Sequence, residues 1–344
     1  MTTSTEQQAD REAPAATPRS PGPRVMIGLV LALTAAIALM VTAFATPAVH
    51  SGAHDLPIVI SGPPAAVEQL TQTLDQAQPG AFDVTTGPDA DAVTSAIEDR
   101  DAVGGISLDP ADPITVTVQV ASAAGTPYAS LLRTVGTTLA AHGATVTTTD
   151  VVPLTADDPT GAGLSALALP IMFGGMISAV TLVNVARRSR TRRVVASVVF
   201  SALAGLAATA ILQLWLGSFD GPFWLTTAGI SLGVAAVSLT VLGLESLLGY
   251  AGLGLGAALM LFVSNPLSGM ATGPDWLPQP WGEIGQLLPI GAAGTVTRSA
   301  AFFDGAGSGQ AVVVLVCWIA LGLALVGLSK LRSRRRAAAG RTDA

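Results

Sequence analysis

Three histidines, one cysteine and one lysine are all that this 344-residue chain sets against a large supply of alanine, leucine, valine and glycine. His50 and His54 stand just before a strand-like run and His142 stands far from both, and none belongs to a metal-ligand motif, so all three read as solvated side chains. Cys317 lies inside an apolar run and has no second cysteine to pair with, so any folded region outside the cytosol must rest on its own core. A phosphate-cradling loop needs a glycine-rich turn ending in Lys and then Ser or Thr. Here Lys330 precedes Leu331, which leaves no standard ATPase site. Asp99, Arg100 and Asp101 form a compact charged group with no nucleophile or histidine beside it, and the expectation is a solvated turn. Asp157-Asp158-Pro159-Thr160-Gly161 reads as a connecting turn. The expectation is a protein that is not an enzyme, with no cofactor and no metal.

The charges have a clear arrangement. Of 17 Lys and Arg residues, 14 fall in three clusters: Arg11, Arg19 and Arg24, then 187–193, then 330–341. Acidic residues concentrate between Asp55 and Asp158, where Arg100 and Arg133 are the only basic ones. Apolar runs punctuated by basic clusters are the positive-inside pattern of a multi-pass membrane protein. Half of the residues are hydrophobic and only 12% are charged, and the mean hydropathy is +0.57. That is more apolar surface than a soluble core of this size would hide. Nucleic acid is an unexpected partner for so acidic a chain, and the lipid bilayer is the expected one.

Crossing about 30 Å of hydrocarbon takes about 20 residues of α-helix. Six runs are expected to do so, over residues 25–45 (with the helix continuing to 47), 164–185, 194–216, 223–244, 247–263 and 311–328, and none contains Asp, Glu, Lys or Arg. Placing 187–193 in the cytosol puts both termini inside and the acidic region outside, in the cell membrane. Ala43-Phe44-Ala45 resembles a signal-peptide cleavage site, but the run before it is longer than a signal peptide's apolar core. Residues 1–24 read as a disordered cytoplasmic tail and 331–344 as a basic one.

Residues 48–162 change character, alternating β-branched runs with helical stretches. Strands are expected at 56–60, 82–86, 103–108, 114–120 and 144–152, with helices between them, one capped by Asp89 or Asp91. The fold class is therefore a polytopic α-helical membrane protein of six transmembrane helices, with a small extracytoplasmic α/β (α+β) domain inserted after the first. The remaining five helices, residues 163–330, include a Pro- and Gly-rich outer segment, 264–309, too long for a plain loop and too broken to span. Gly252 and Gly256 form a small-xxx-small pair for close helix approach, and Pro170 with Gly174 and Gly175 can loosen the second span. Glu245 is the one acid expected near the inner face.

This order resembles the permeases of ABC exporters that carry an outer domain between their first two spans, in particular the phage-infection-protein (Pip-like) type. The residues that carry the resemblance are Asp150-Val151-Val152-Pro153-Leu154, Asp158-Pro159-Thr160-Gly161, Asn265-Pro266-Leu267-Ser268-Gly269, Leu277-Pro278 and Leu288-Pro289. It implies export of a hydrophobic or amphiphilic substrate, a separate ATPase subunit, and a homodimer or paired permease. It also implies an outer-mouth segment at Asn265, Pro266, Ser268 and Gly269, and a cytoplasmic coupling surface at Arg187, Arg188, Arg190 and Glu245. The chain departs from the type in lacking an amphipathic helix before the first span. The alternative is a non-transporting anchored protein whose outer domain binds an envelope component or a partner protein.

Overall fold

The computed structural model of the chain describes residues 22–186 and 189–342, with side chains as far as Arg332. The tail before residue 22, Arg187, Arg188 and the side chains of the basic cluster beyond Arg332 lie outside the described residues. The chain divides into two bodies between Thr42 and Ala43. Helix α1, Pro23–Val49, runs through that boundary. Leu31, Ile37 and Leu39 are largely exposed on it, a surface that a bilayer would cover and water would not tolerate.

The α/β domain follows in the second body. Its elements are β1 (Leu56–Ser61), α2 (Pro64–Ala77), β2 (Phe82–Gly87), α3 (Ala90–Glu98), β3 (Gly104–Leu108), β4 (Thr115–Val120), α4 (Thr126–Ala141) and β5 (Thr145–Asp150). This is the element order expected from the sequence. The five strands pair in the order β2-β1-β3-β4-β5, all parallel except for β3 against β4. Asp89 caps α3, its carboxylate accepting from Ala92 N at 2.8 Å. Gly105 leaves no room for a side chain against Val93 of α3, while Gly104 lies as close to Leu132 of α4 on the opposite face. Strand alternation thus assigns residues 105 and 107 to the face of α3, and 104, 106 and 108 to the face of α4.

The helices that follow are α5 (Ala162–Ala166), α6 (Ala168–Val185), α7 (Arg190–Thr209, continued by a π-turn over Ala210–Trp215) and α8 (Phe223–Leu248). Next come α9 (Tyr250–Ala258, continued by a π-turn over Leu259–Ser264), α10 (Trp281–Gln286), α11 (Pro289–Phe302) and α12 (Gly309–Thr342). Among the described residues, five helices are long and apolar enough to cross a membrane: Pro23–Val49, Ala162–Val185, Arg190–Trp215, Phe223–Leu248 and Gly309–Arg332. Of these, α8 is the most buried and forms the axis of the bundle.

The run expected as the fifth span, 247–263, is not among them. Gly249, at φ +67, breaks the chain after α8, and the helical run Tyr250–Ser264 rises only about 22 Å, short of the hydrocarbon thickness. Its path along α8 can be followed contact by contact. Gly252 lies against the Leu244 carbonyl and Gly256 against Val241. At the far end of the run Ser264 Oγ accepts from Ile290 N at 3.0 Å, at the start of α11. From there α11 continues the ascent: Ala293 packs on Gly233 and Val296 on Gly229, and Thr226 Oγ1 donates to Ala300 O at 3.2 Å. Two short helices joined at Ser264 therefore cover the stretch of α8 from Leu244 back to Thr226, about 27 Å of helix. Residues 265–288 leave and re-enter at that joint.

This split return fixes the direction of α12. Gly322 lies against the backbone of Leu239 and Gly243 against Gly322, and Thr240 Oγ1 donates to Trp318 O at 3.3 Å, so α12 runs parallel to α8. Consequently Lys330 emerges at the end of the bundle where Arg193 and Glu245 stand, and the α/β domain packs at the other end.

Candidate functional site

At the domain end, α11 and the residue 265–288 excursion meet the α/β domain in a buried polar contact. Arg100 comes from a tight turn after α3, with φ +66. Its guanidinium donates to Thr295 O at 3.3 Å and to Ser299 Oγ, and lies 5.2 Å above the ring of Phe303. The expectation of a solvated turn at Asp99-Arg100-Asp101 is thus corrected for Arg100: docking onto α11 takes it partly out of solvent, a long-range effect that the local charge pattern does not carry.

Tyr128, in the first turn of α4, is almost wholly buried. Its hydroxyl accepts from Trp276 N at 3.2 Å and lies 3.5 Å from Asp275 Oδ2, and its ring meets Trp276 edge to face at 5.8 Å. Arg298, also buried, donates to Met270 O at 2.8 Å, while its Nε has no hydrogen-bond partner among the described residues. Two guanidiniums and one carboxylate thus lie close together in a contact that is buried at Arg298 and half-buried at Arg100 and Asp275. Burial, and then the neighbouring Arg298, bring Arg100 down to about 10, against the pull of Asp275 and Tyr128. Burial and the Asp275 carboxylate push the Tyr128 phenol up. Burial holds Asp275 above the usual carboxylate range despite both arginines. Groups desolvated in this way act as specific latches, because sliding or separating the two surfaces would strip Arg100 and Tyr128 of the hydrogen bonds that offset the cost.

Asn265, Pro266, Ser268 and Gly269 are brought together on one cleft of about 420 Å³. Its other walls are Phe44, Pro47 and Ala48, at the end of α1, and Ser165, Ala168 and Leu169, on α5 and α6. The lining is mostly apolar, with a few hydroxyls and one amide, a mixture suited to an amphiphile. Gln286 Nε2 donates to Ser268 O at 3.3 Å, tying the descending half of the excursion to the cleft wall.

At the opposite end of the bundle, Glu245 faces Arg193 at 2.9 Å, with 14% and 10% of the two side chains exposed. Arg193 also donates through Nε to Ala186 O at 3.0 Å. Arg190 lies at the start of α7, while Arg187 and Arg188 fall outside the described residues. Of the expected coupling residues, then, Glu245 is engaged within the bundle. Its partner Arg193 closes the basic 187–193 cluster, beside Arg192 at the edge of an apolar run. Inside the bundle, Ser238 Oγ bridges Ser178 Oγ at 2.9 Å and Ser197 Oγ at 2.7 Å, linking α6, α7 and α8 by hydroxyls. His142 Nδ1 donates to Thr138 O at 2.8 Å at an exposed helix end. Among the described residues, no three His, Cys, Asp or Glu side chains are grouped to hold a metal ion.

Comparison with protein-family models, with curated proteins and with solved structures gives no match in any of the three. The function must be argued from the geometry.

Proposed function

We propose that this chain is the membrane permease subunit of an ABC-type exporter, moving a hydrophobic or amphiphilic substrate across the cell membrane with a separate ATPase subunit. The observation that carries this reading is the split return helix. Broken helices are tolerated at membrane depth where they are buried in protein or line a cavity, and transporters place their substrate sites at such breaks. Here the break is filled by an excursion that lines a largely apolar cleft and then meets the α/β domain through Tyr128 and Asp275. In this reading α9 and α11 together make the fifth of six crossings. In the same reading both termini face the cytosol, which is supported at the C-terminal end by α12 running parallel to α8 and bringing Lys330 beside the basic Arg193 end. The α/β domain is then extracytoplasmic, and its latches are placed to report an occupied cleft. An anchored binding protein would need only one stable helix.

The chain itself has no phosphate-binding loop, so the energy source is a second protein. Its docking surface is the cytoplasmic end of the bundle, around Arg190 and Arg192, with the chain as a homodimer or paired with a second permease. The test is purification of the tagged chain from its native membrane in mild detergent. Co-purification of an ATPase subunit whose turnover rises with the permease present supports the proposal. Recovery of envelope proteins alone, with no nucleotide hydrolysis, overturns it in favour of the anchored binding protein.

A further inference from the structure

A second cleft lies wholly within the α/β domain, where the chain reverses its strand order. From β1 the chain passes through α2 to β2 on one side, and from β2 through α3 to β3 on the other. The carboxyl ends of β1 and β3 thus diverge into loops that part from each other, the place where open α/β sheets leave a crevice for ligands. The crevice has a volume of about 600 Å³.

Its floor is set by strand register. Ser61 pairs with Ser107 across β1 and β3, and Ser107 with Thr117 across β3 and β4. Three hydroxyls therefore stand side by side on the face of α3. Ser107 is only 7% exposed, and its Oγ has no hydrogen-bond partner among the described residues. A hydroxyl that buried and unpartnered destabilises the fold unless something binds it. It lines the crevice.

The rim supplies the charge. Asp89 and Asp109 line the opening, and among the described residues no Lys or Arg does. One oxygen of each is held in place by the backbone, Asp89 by Ala92 N at 2.8 Å and Asp109 by Ala111 N at 2.8 Å. Their other oxygens have no such tie. Two oriented carboxylates above a row of hydroxyls disfavour a phosphate or carboxylate ligand and favour a donor-rich cation.

We infer that this crevice binds a small molecule through its ammonium group, which takes Asp109 at the rim and the Ser107 hydroxyl on the floor. The site is independent of the apolar cleft at Asn265, and its test does not involve transport.

The full-length chain in lipid nanodiscs is titrated by calorimetry with 1,4-diaminobutane, with 1,4-butanediol, which has hydroxyls in place of the ammonium groups, and with inorganic phosphate. Saturable binding of the diamine is expected, with the diol and phosphate at least tenfold weaker. Ser107→Ala, which removes one oxygen without crowding the sheet, should weaken diamine binding about tenfold. Asp109→Asn, at an exposed position that does not threaten folding, should weaken it severalfold and flatten its salt dependence. Absence of diamine binding, binding unchanged in both variants, or preferential binding of diol or phosphate would each overturn the inference.

Discussion

The Arg193–Glu245 pair allows a quantitative test of how the bundle is held together at its basic end. Removing one partner of a fully buried ion pair costs about 3–5 kcal/mol, because the survivor keeps its desolvation penalty. Roughly a tenth of each side chain still reaches solvent here, which reduces the expected cost of Glu245→Ala to about 2–3 kcal/mol. Replacing both residues by Met should cost less than the sum of the single changes, since no orphaned charge remains. The swap Arg193→Glu with Glu245→Arg is the most informative variant. In the native chain the cation sits in the first turn of α7 and the anion in the last turn of α8, so each is opposed by its helix dipole. The swap turns both opposing terms, each about 0.3–1 kcal/mol, into favourable ones. It loses the bond from Arg193 to Ala186 O, worth about 1 kcal/mol. The swapped chain should therefore recover most of the stability that either single change removes. Unfolding in mild detergent by rising dodecyl sulfate, followed by tryptophan fluorescence, measures each variant. Single changes costing under about 0.5 kcal/mol, or a swap no more stable than the single variants, would refute the assignment of the pair as a buried clasp.

Three further outcomes follow from named contacts. Tyr128→Phe removes the hydroxyl that accepts from Trp276 N and approaches Asp275; it should destabilise by about 1–2 kcal/mol and raise proteolysis of the 265–288 excursion, whereas unchanged cleavage would show that the latch is slack. Asp158 accepts from Gly163 N at 2.7 Å and Ala162 N at 2.8 Å. Burial raises its pKa, but these bonds, with Ser218 and Thr160, bring it below its ordinary value. Its contribution is thus complete above the unfolded-state value and is lost as pH falls through the lower folded one. Asp158→Asn should cost about 1 kcal/mol at neutral pH and show a smaller loss of stability on acidification below about pH 4, as read by unfolding at several pH values. Gly322→Val should push α12 off Leu239 and Gly243, lowering the folded yield sharply, while Gly327→Val, in open space, should leave it unchanged.

The parts of the fold that the sequence makes legible are those governed by local periodicity and bulk hydropathy. The strands and helices of the α/β domain follow from alternation and from signals such as Asp89 and Pro64, and five apolar helices follow from uninterrupted runs. The split return along α8 was hidden for a physical reason. Helix α11 carries Thr295, Thr297, Arg298 and Ser299, too polar for a span read alone, and it is buried because α8, the excursion and the α/β domain surround it. Conversely, 247–263 is apolar enough to suggest a span but is cut short at Gly249 and Ser264 by backbone geometry. Asn265, Pro266, Ser268 and Gly269 were legible as a set because Pro and Gly interrupt an apolar run, whereas their cleft partners on α1 and α6 required the fold. Arg100 and Ser107 were invisible for the same reason. One is taken partly out of solvent by a surface about 200 residues away in sequence, a separation seen in its bond to Ser299, and the other depends on the register of three strands.

The most direct measurement of the account is the sidedness of the bundle. With Cys317 replaced by Ser, single cysteines at Thr145, Thr191 and Lys330 are exposed in turn to a membrane-impermeant maleimide, first on intact cells and then on opened membranes. The account predicts that T145C reacts in intact cells while T191C and K330C react only after the membrane is opened. Labelling of T145C and T191C from the same side, or of K330C in intact cells, would contradict it.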